Sequence, residues 1–456
     1  VKSKLKKFTT FSDRLFPSEV AFVAANNDFQ DPEYFELLER MGQRVNGARE
    51  HVEFDPETDP RKYSRLMQAM ERKLESIDVD AYYAWISRIN YLINTDDIPT
   101  EEQARILRET DAYSPGWFHA GSFYRAVATY EAYLLIRYRE RDLQVIQDFL
   151  AKYASSHEEN ERILNEVKVI TERIVKMDNG KDDSLNTDDL ERLLSYFSNP
   201  RLSKKCRYHA WLAYHMHHLN TRQFEPMVEP LQALESQIFE GDFYSRRILA
   251  NFYANKLLLL SHLGKYEEAA YCGAQSIKHQ TEDYLYYINN YCSVLMHLGR
   301  YDEAAAHMKS NLVLYRETRD KSRKLIFASN YCRCLNALSQ HRQSIRLAAK
   351  ELEELKQQVF KFRWHYFFRV YLGALQANGQ NELLLRLARK YKLTDREQKA
   401  GKPPYLRILV LTAEYQELRI SDKAYHDTIA TLRSQTDFKK YPDLQSFFQQ
   451  AESVQA

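Results

Sequence analysis

Apolar residues along this chain recur at helical spacing, and no run alternates β-branched and polar positions for long enough to suggest a strand. The pattern predicts a helix from Asp31-Pro32 through about Met41, where the aspartate caps, the proline fits the first turn and Gly42 closes the end. After the acidic, proline-containing stretch His51 to Pro60, which reads as a loop, further helices are predicted at about 61–76, 79–94, 100–109, 120–154 and 157–177. The turn-rich cluster Met177-Asp178-Asn179-Gly180-Lys181-Asp182-Asp183 marks an expected boundary. This organises the chain into an N-terminal helical region at 1–178, a repetitive region at 179–440 and a capping helix at 441–456.

The repetitive region is read from its turns. His262-Leu263-Gly264-Lys265-Tyr266-Glu267-Glu268-Ala269-Ala270 and His297-Leu298-Gly299-Arg300-Tyr301-Asp302-Glu303-Ala304-Ala305 are near copies, 299 − 264 = 35 residues apart. Worn copies turn at Ser339, where Ser344 stands for the alanine, and at Gly379. Each unit predicts two antiparallel helices, A and B, with the turn glycine ending A. Upstream, Lys204 to Ser236 reads as another pair, with Pro226 tolerated only in the first turn of its second helix. Downstream, Thr394 to Pro404 reads as a charged loop, followed by a last pair at about 405–418 and 422–434 and a cap at Tyr441 to Val454.

These turns, spacings and small residues resemble the tetratricopeptide repeat superfamily, clearly over 244–318 and more loosely over 204–434. The resemblance implies an all-α, right-handed α-solenoid whose neighbouring pairs complete each other's core and leave a concave face for a ligand. It also explains two cysteines. Cys292 and Cys332 each lie seven residues before a turn, where a small residue lets A and B approach, so a thiol there acts as a small hydrophobe.

Composition narrows the function classes. Glycine and proline number only 12 each in 456 residues, which suits long helices with few turns. The 65 basic and 63 acidic side chains nearly cancel, so nucleic acid is not expected as a partner. A membrane is not expected either, since no uncharged apolar run approaches the roughly 18 residues a span requires. The basic start Val1 to Lys7 runs into polar Phe8 to Arg14, where a signal peptide would need its apolar core. Five cysteines make no disulfide framework, and a reducing cytoplasm is the expected location.

Aligned on the turns, Asn255, Asn290 and Asn330 each lie nine residues before Gly264, Gly299 and Ser339. In peptide-binding members of the superfamily such a row resembles a ladder that holds a ligand backbone, a task suited to an amide that both donates and accepts. The alternative is that the asparagines bridge neighbouring helices. Asn251, Asn289, Ser293, Met296, Arg333 and Asn336 flank the row, and His262 and His297 recur two residues before each glycine. In the fourth unit the slot is Val370, with Tyr366 and Arg369 nearby, so the polar row becomes aromatic and basic.

His209, His215, His217 and His218 form a histidine-rich stretch without the HExxH pattern, and are expected to be structural, with no metal or cofactor. Asp111 to His119 is a ring-rich loop, either a docking surface or a packed corner. No phosphate-binding glycine loop, nucleophile elbow, CxxC pair or kinase signature occurs, so no catalytic residues are assigned. The expectation is a non-catalytic scaffold that binds an extended peptide or protein segment. The alternative is a peptide-responsive regulator whose N-terminal helices are the effector.

Overall fold

A computed structural model describes residues 2–48, 52–178 and 185–454. Every regular element among the described residues is helical. The chain forms two compact units, Val1–Lys265 and Tyr266–Ala456.

The first unit contains α1 (Lys2–Arg14), α2 (Pro17–Ala25), α3 (Pro32–Gln43), α4 (Pro60–Glu75), α5 (Val79–Asn94) and α6 (Thr100–Ala112). It continues with α7 (Ala120–Ile136), α8 (Glu140–Asp178), α9 (Thr187–Ser198), α10 (Lys204–Thr221), α11 (Val228–Phe239) and α12 (Arg246–His262). Asp31 caps α3 through the Glu33 N–H at 3.0 Å, as its sequence predicts. The expected stop at Gly42 does not occur: the helix runs on through a π-helical turn at Arg44–Ala48, where Gly47 takes φ 112°. Pro226 sits in a short 3₁₀ turn, Glu225–Met227, that leads into α11, a position where its missing N–H costs nothing.

Packing in this unit runs across the expected boundary near 178. Ile163, Val167, Ile170 and Ile174 of α8 share one core with Leu193 of α9 and Cys206, Ala210 and Ala213 of α10. Of the boundary cluster at 177–183, residues 179–183 lie outside the described residues. A second tie is the fully buried Glu19 carboxylate, which accepts from the Phe16 N–H at 2.8 Å, the Tyr244 hydroxyl at 2.7 Å and Arg246 Nε at 2.9 Å. A buried carboxylate is tolerable because these donors replace its water. They also fix α2 against the start of α12.

The second unit opens with α13 (Tyr266–Ser276), α14 (Tyr284–His297), α15 (Tyr301–Ser310), α16 (Leu312–Glu317), α17 (Lys321–Ala337), α18 (His341–Glu354) and α19 (Lys356–Gln358). After a π-helical turn at Val359–Arg363 come α20 (Trp364–Ala377), α21 (Asn381–Tyr391), α22 (Leu393–Lys399), α23 (Tyr405–Gln416), α24 (Asp422–Ser434) and α25 (Leu444–Glu452). Each A helix packs on its own B helix and on the next A helix: α14 on α15 and α17, α17 on α18 and α20, α20 on α21 and α23. The stretch expected as a charged loop instead holds α22. Its Glu397 is fully buried, accepting from the Leu406 and Arg407 N–H groups at 2.8 and 3.0 Å and sharing a hydrogen bond with His365 Nε2 at 2.7 Å.

One device ends the A helices. Gly299, Ser339, Gly379 and Leu418 have φ of 74°, 57°, 69° and 54°. In each case the next N–H bonds the carbonyl five residues earlier: Arg300 to Leu295 at 2.9 Å, and Gln340 to Leu335, Gln380 to Leu375 and Arg419 to Glu414 all at 2.8 Å. In the first unit Gly264 repeats the geometry, with Lys265 bonded to the Leu260 carbonyl at 2.9 Å. So does Tyr138, whose φ of 56° ends α7 inside the helix expected at 120–154. The break expected near Ser155 is absent, and α8 passes straight through.

Small residues sit where the A and B helices meet. Cys292 and Ala304 are fully buried, and the thiol points at the Ala304 carbonyl at 3.5 Å. Cys332 makes the same approach to the Ser344 carbonyl at 3.5 Å, and the Ser344 hydroxyl returns a bond to the Cys332 carbonyl at 3.3 Å. All five cysteines are buried thiols, and burial pushes Cys332 up to about 12.

The turn geometry makes a paired prediction. A Cβ at Gly299 would meet nothing within 4 Å, so Gly299→Ala carries only the backbone cost of a left-handed residue, about 1–2 kcal/mol. Ser339→Gly relieves the same cost and should raise stability by up to about 1 kcal/mol. Urea midpoints of the two variants should move in opposite directions; equal shifts of one sign would contradict the turn assignment.

Candidate functional site

Helical spacing gathers one face of the second unit. Arg333 and Asn336 lie three residues apart on α17, Arg369, Gly373 and Ala377 four apart on α20, and Ile408, Thr412 and Gln416 four apart on α23. Together with Tyr366, Gln376, Leu409 and the Asp443, Phe447 and Gln450 side of the C-terminal segment, they line a cavity of about 870 Å³, which Tyr266 and His297 also reach. Its walls alternate guanidinium, amide and apolar groups.

One carboxylate in this cavity is held by two donors. Arg369 Nη2 reaches Asp443 Oδ2 at 2.7 Å, and the Tyr405 hydroxyl donates to Asp443 Oδ1 at 2.5 Å. The Arg369 guanidinium lies 3.7 Å from the Tyr405 ring centroid and 5.4 Å from that of Phe447. Burial alone would raise the Asp443 carboxyl, but the Tyr405 hydrogen bond and the Arg369 charge outweigh it and hold the group below its ordinary range. Arg333 differs. Tyr366 and Tyr301 lie beside it, and no carboxylate among the described residues forms an ion pair with it. Beside it, Asn336 Nδ2 donates to the Val370 carbonyl at 2.9 Å, while its buried Oδ1 has no partner among the described residues.

The asparagine row divides. Asn255 Nδ2 bonds the Asn251 carbonyl at 2.9 Å and Asn251 Oδ1 at 3.1 Å, and that oxygen also accepts from the Tyr208 hydroxyl at 3.1 Å, linking α12 to α10. Asn330 Oδ1 accepts from Arg363 Nη2 at 3.2 Å and the Tyr366 hydroxyl at 3.3 Å, linking α17 to the start of α20. Asn330 therefore bridges successive A helices, whereas the Asn255 amide bonds within α12, to Asn251, which makes the link to α10. Asn290 is half-buried on α14, and Asn289 beside it is buried with neither amide atom hydrogen-bonded among the described residues. None of the row lines the cavity.

The recurrent histidines have a packing explanation. His262 stacks on Phe224 at 4.0 Å and 14°, and His297 stacks on Tyr266 at 5.0 Å and 11°. In both cases an aromatic residue two positions past a turn meets the histidine two positions before the next. Of the residues proposed from sequence for ligand contact, the cavity keeps His297, Arg333, Asn336 and Arg369, together with Tyr366 and Val370 of the fourth unit. Sequence reasoning missed Gly373, Gln416 and the C-terminal Asp443. The signal available for Gly373 was a glycine inside an otherwise apolar helical run.

The histidine stretch of α10 is a packing feature. His215 stacks on Trp211 at 4.2 Å and His218 meets the Tyr214 ring at 4.3 Å. Burial pushes His215 down to about 3 and His218 to about 4. The ring-rich loop before α7 is a packed corner: Tyr113 and Phe118 are buried, and His119 stacks on Tyr82 at 4.1 Å with its own titration pushed down to about 4 by burial. Among the described residues no cluster of three His, Cys, Asp or Glu side chains could hold a metal, and no helix is long and apolar enough to cross a membrane.

No protein-family model matches this chain, and no curated protein or solved structure matches it.

The buried histidines set a pH dependence for the first unit. His119, His215 and His218 are neutral when folded and titrate near 6.5 when unfolded, so the unfolded chain binds the extra protons below that pH. Stability is therefore full above about pH 6.5 and falls as pH drops toward 4, by about 1.4 kcal/mol per pH unit for each such histidine. His215→Phe should remove one such contribution from the slope of unfolding free energy against pH. An unchanged slope would contradict the assignment.

Proposed function

We propose that the chain is a non-catalytic interaction protein of the tetratricopeptide kind. In this reading its helix pairs stack as a right-handed solenoid, and an extended peptide or protein segment lies against the face that carries Arg333, Asn336, Gly373 and Arg369. The repeated left-handed turns, their 40-residue steps from Gly299 to Ser339 to Gly379 and the small residues at each A–B contact support the architecture. The five buried thiols suit a reducing compartment, and a cytoplasmic location is part of the proposal.

The observation that carries the reading is Gly373. It lies in the middle of α20, where glycine costs roughly 1 kcal/mol relative to alanine, and an added Cβ would meet nothing within 4 Å. Packing gives no reason for a glycine there. A ligand backbone lying close on the cavity floor does, because the absent side chain lets it approach. The amides of Asn336, Gln376 and Gln416 around that floor can pair with peptide groups, and Ile408, Leu409 and Phe447 offer apolar contact. Asn330 contributes indirectly, by holding α17 against the start of α20.

The test is affinity capture of a randomised octapeptide library by the full chain. Gly373→Ala should raise the unfolding midpoint, consistent with about 0.5–1 kcal/mol, and retain capture. Gly373→Trp should keep the circular-dichroism spectrum and melting temperature while lowering capture at least about tenfold, since the ring fills the floor of the cavity. Equal capture by the wild-type chain and the tryptophan variant would contradict the proposal.

A further inference from the structure

We infer that the first unit carries a binding site for a phosphate monoester, in the cleft between α4, α5 and α6, with the phosphate held by Arg72, Arg88 and Arg105. None of these residues belongs to the proposed peptide face, and the site stands or falls independently of it.

The cleft has a volume of about 500 Å³. Arg72 of α4, Arg88 of α5 and Arg105 of α6 line it, together with Tyr82 and Trp85. Glu75 is the single carboxylate among the lining residues, so three positive charges face one negative. Other arginines of this unit are occupied by acids: Arg173 holds Asp189 at 2.7 and 3.2 Å, and Arg246 holds Glu19 at 2.9 Å. The three cleft arginines instead donate one hydrogen bond between them among the described residues, from Arg72 Nε to the Gln68 carbonyl at 3.3 Å. Arg88 stands 3.6 Å from Glu102 and Arg105 stands 3.8 Å from Glu109, too far for a hydrogen bond in either case.

The cleft is held in shape from behind. Trp85 is buried, and its indole N–H donates to Glu102 Oε2 at 2.9 Å. That bond commits Glu102 to the tryptophan and fixes the ring, over which the Arg105 guanidinium lies at 4.1 Å. Stacking sets the plane of the guanidinium and leaves its N–H edge free to take two oxygens of one anion. Tyr82 is fixed in the same way, stacked on His119 at 4.1 Å and 10°. Charge selects the anion. A phosphate monoester carries about −1.5 to −2 at neutral pH, which matches a surplus of two positive charges, whereas a carboxylate leaves one of them unmatched. Size and the aromatic wall favour an ester over the bare ion, because the cleft falls in the range of about 300–1,000 Å³ used for organic ligands.

Isothermal titration calorimetry of the full chain at about pH 8, where a monoester is a dianion, tests this. The probes are an N-acetylated, C-amidated pentapeptide with a central phosphoserine, the same peptide with glutamate there, adenosine 5′-monophosphate and inorganic phosphate. The phosphopeptide or the nucleotide should bind at least about tenfold more tightly than the glutamate peptide and inorganic phosphate. Which of the two does so tells whether the ester comes from a modified protein or a small molecule. Arg88→Gln and Arg105→Gln should each weaken that binding at least about tenfold, and Arg61→Gln, which does not line the cleft, should leave it unchanged. Equal binding of the glutamate peptide would overturn the choice of phosphate, and equal binding of inorganic phosphate would overturn the choice of an ester. Full affinity in Arg88→Gln and Arg105→Gln would overturn the residue assignment, and no saturable heat from any probe would overturn the site.

Discussion

The second unit depends on a single backbone constraint: at a fixed place after each A helix, one residue must adopt a left-handed conformation so that the following N–H reaches back five residues. That bond satisfies a carbonyl the helix end would otherwise leave unpaired, and it turns the chain by a reproducible amount. Because Gly299, Ser339, Gly379 and Leu418 all obey it, each B helix leaves its A helix in the same direction. The positions seven residues before the turn and five after then meet, which is why Cys292 faces Ala304 and Cys332 faces Ser344. A large side chain at either place would push the pair apart.

The cavity follows from that regularity. When successive A helices pack side by side in one register, residues three or four apart on each helix form a continuous face. Arg333, Gly373 and Thr412 come together there despite distant places in the chain. The C-terminal segment finishes the face. Leu444 and Phe448 of α25 are fully buried against α23 and α24, so Asp443 is delivered to Arg369 by a packed helix. Gln445, Gln449 and Glu452 stay exposed on its outer side.

Much of the helical order was legible because its signals are local. Asp31-Pro32, the Gly264, Gly299 and Gly379 turns, and the proline before α11 each work through the residue's own backbone. The misplaced boundaries were those set by non-glycine left-handed residues. Tyr138 carries no compositional mark, and only the core formed by Tyr130, Leu134 and Ile146 makes its strained backbone worthwhile. Glu397 turned an expected loop into part of the core for a similar reason: its partners His365, Leu406 and Arg407 come from two other helices. The candidate site was half legible. Alignment found Arg333, Asn336 and Arg369, but in the asparagine row Asn330 ties α17 to α20 and Asn255 bonds Asn251 within α12, since those amides find partners within the fold. Asp443, 74 residues beyond Arg369, could not be foreseen from spacing.

The most direct measurement is native-state amide hydrogen exchange of the full chain at Arg300, Gln340, Gln380 and Arg419, the residues whose N–H groups reach back five positions. All four amides should be protected to a degree similar to the last turn of the A helix before each. Exchange at all four as fast as in an unstructured peptide would contradict the turn constraint.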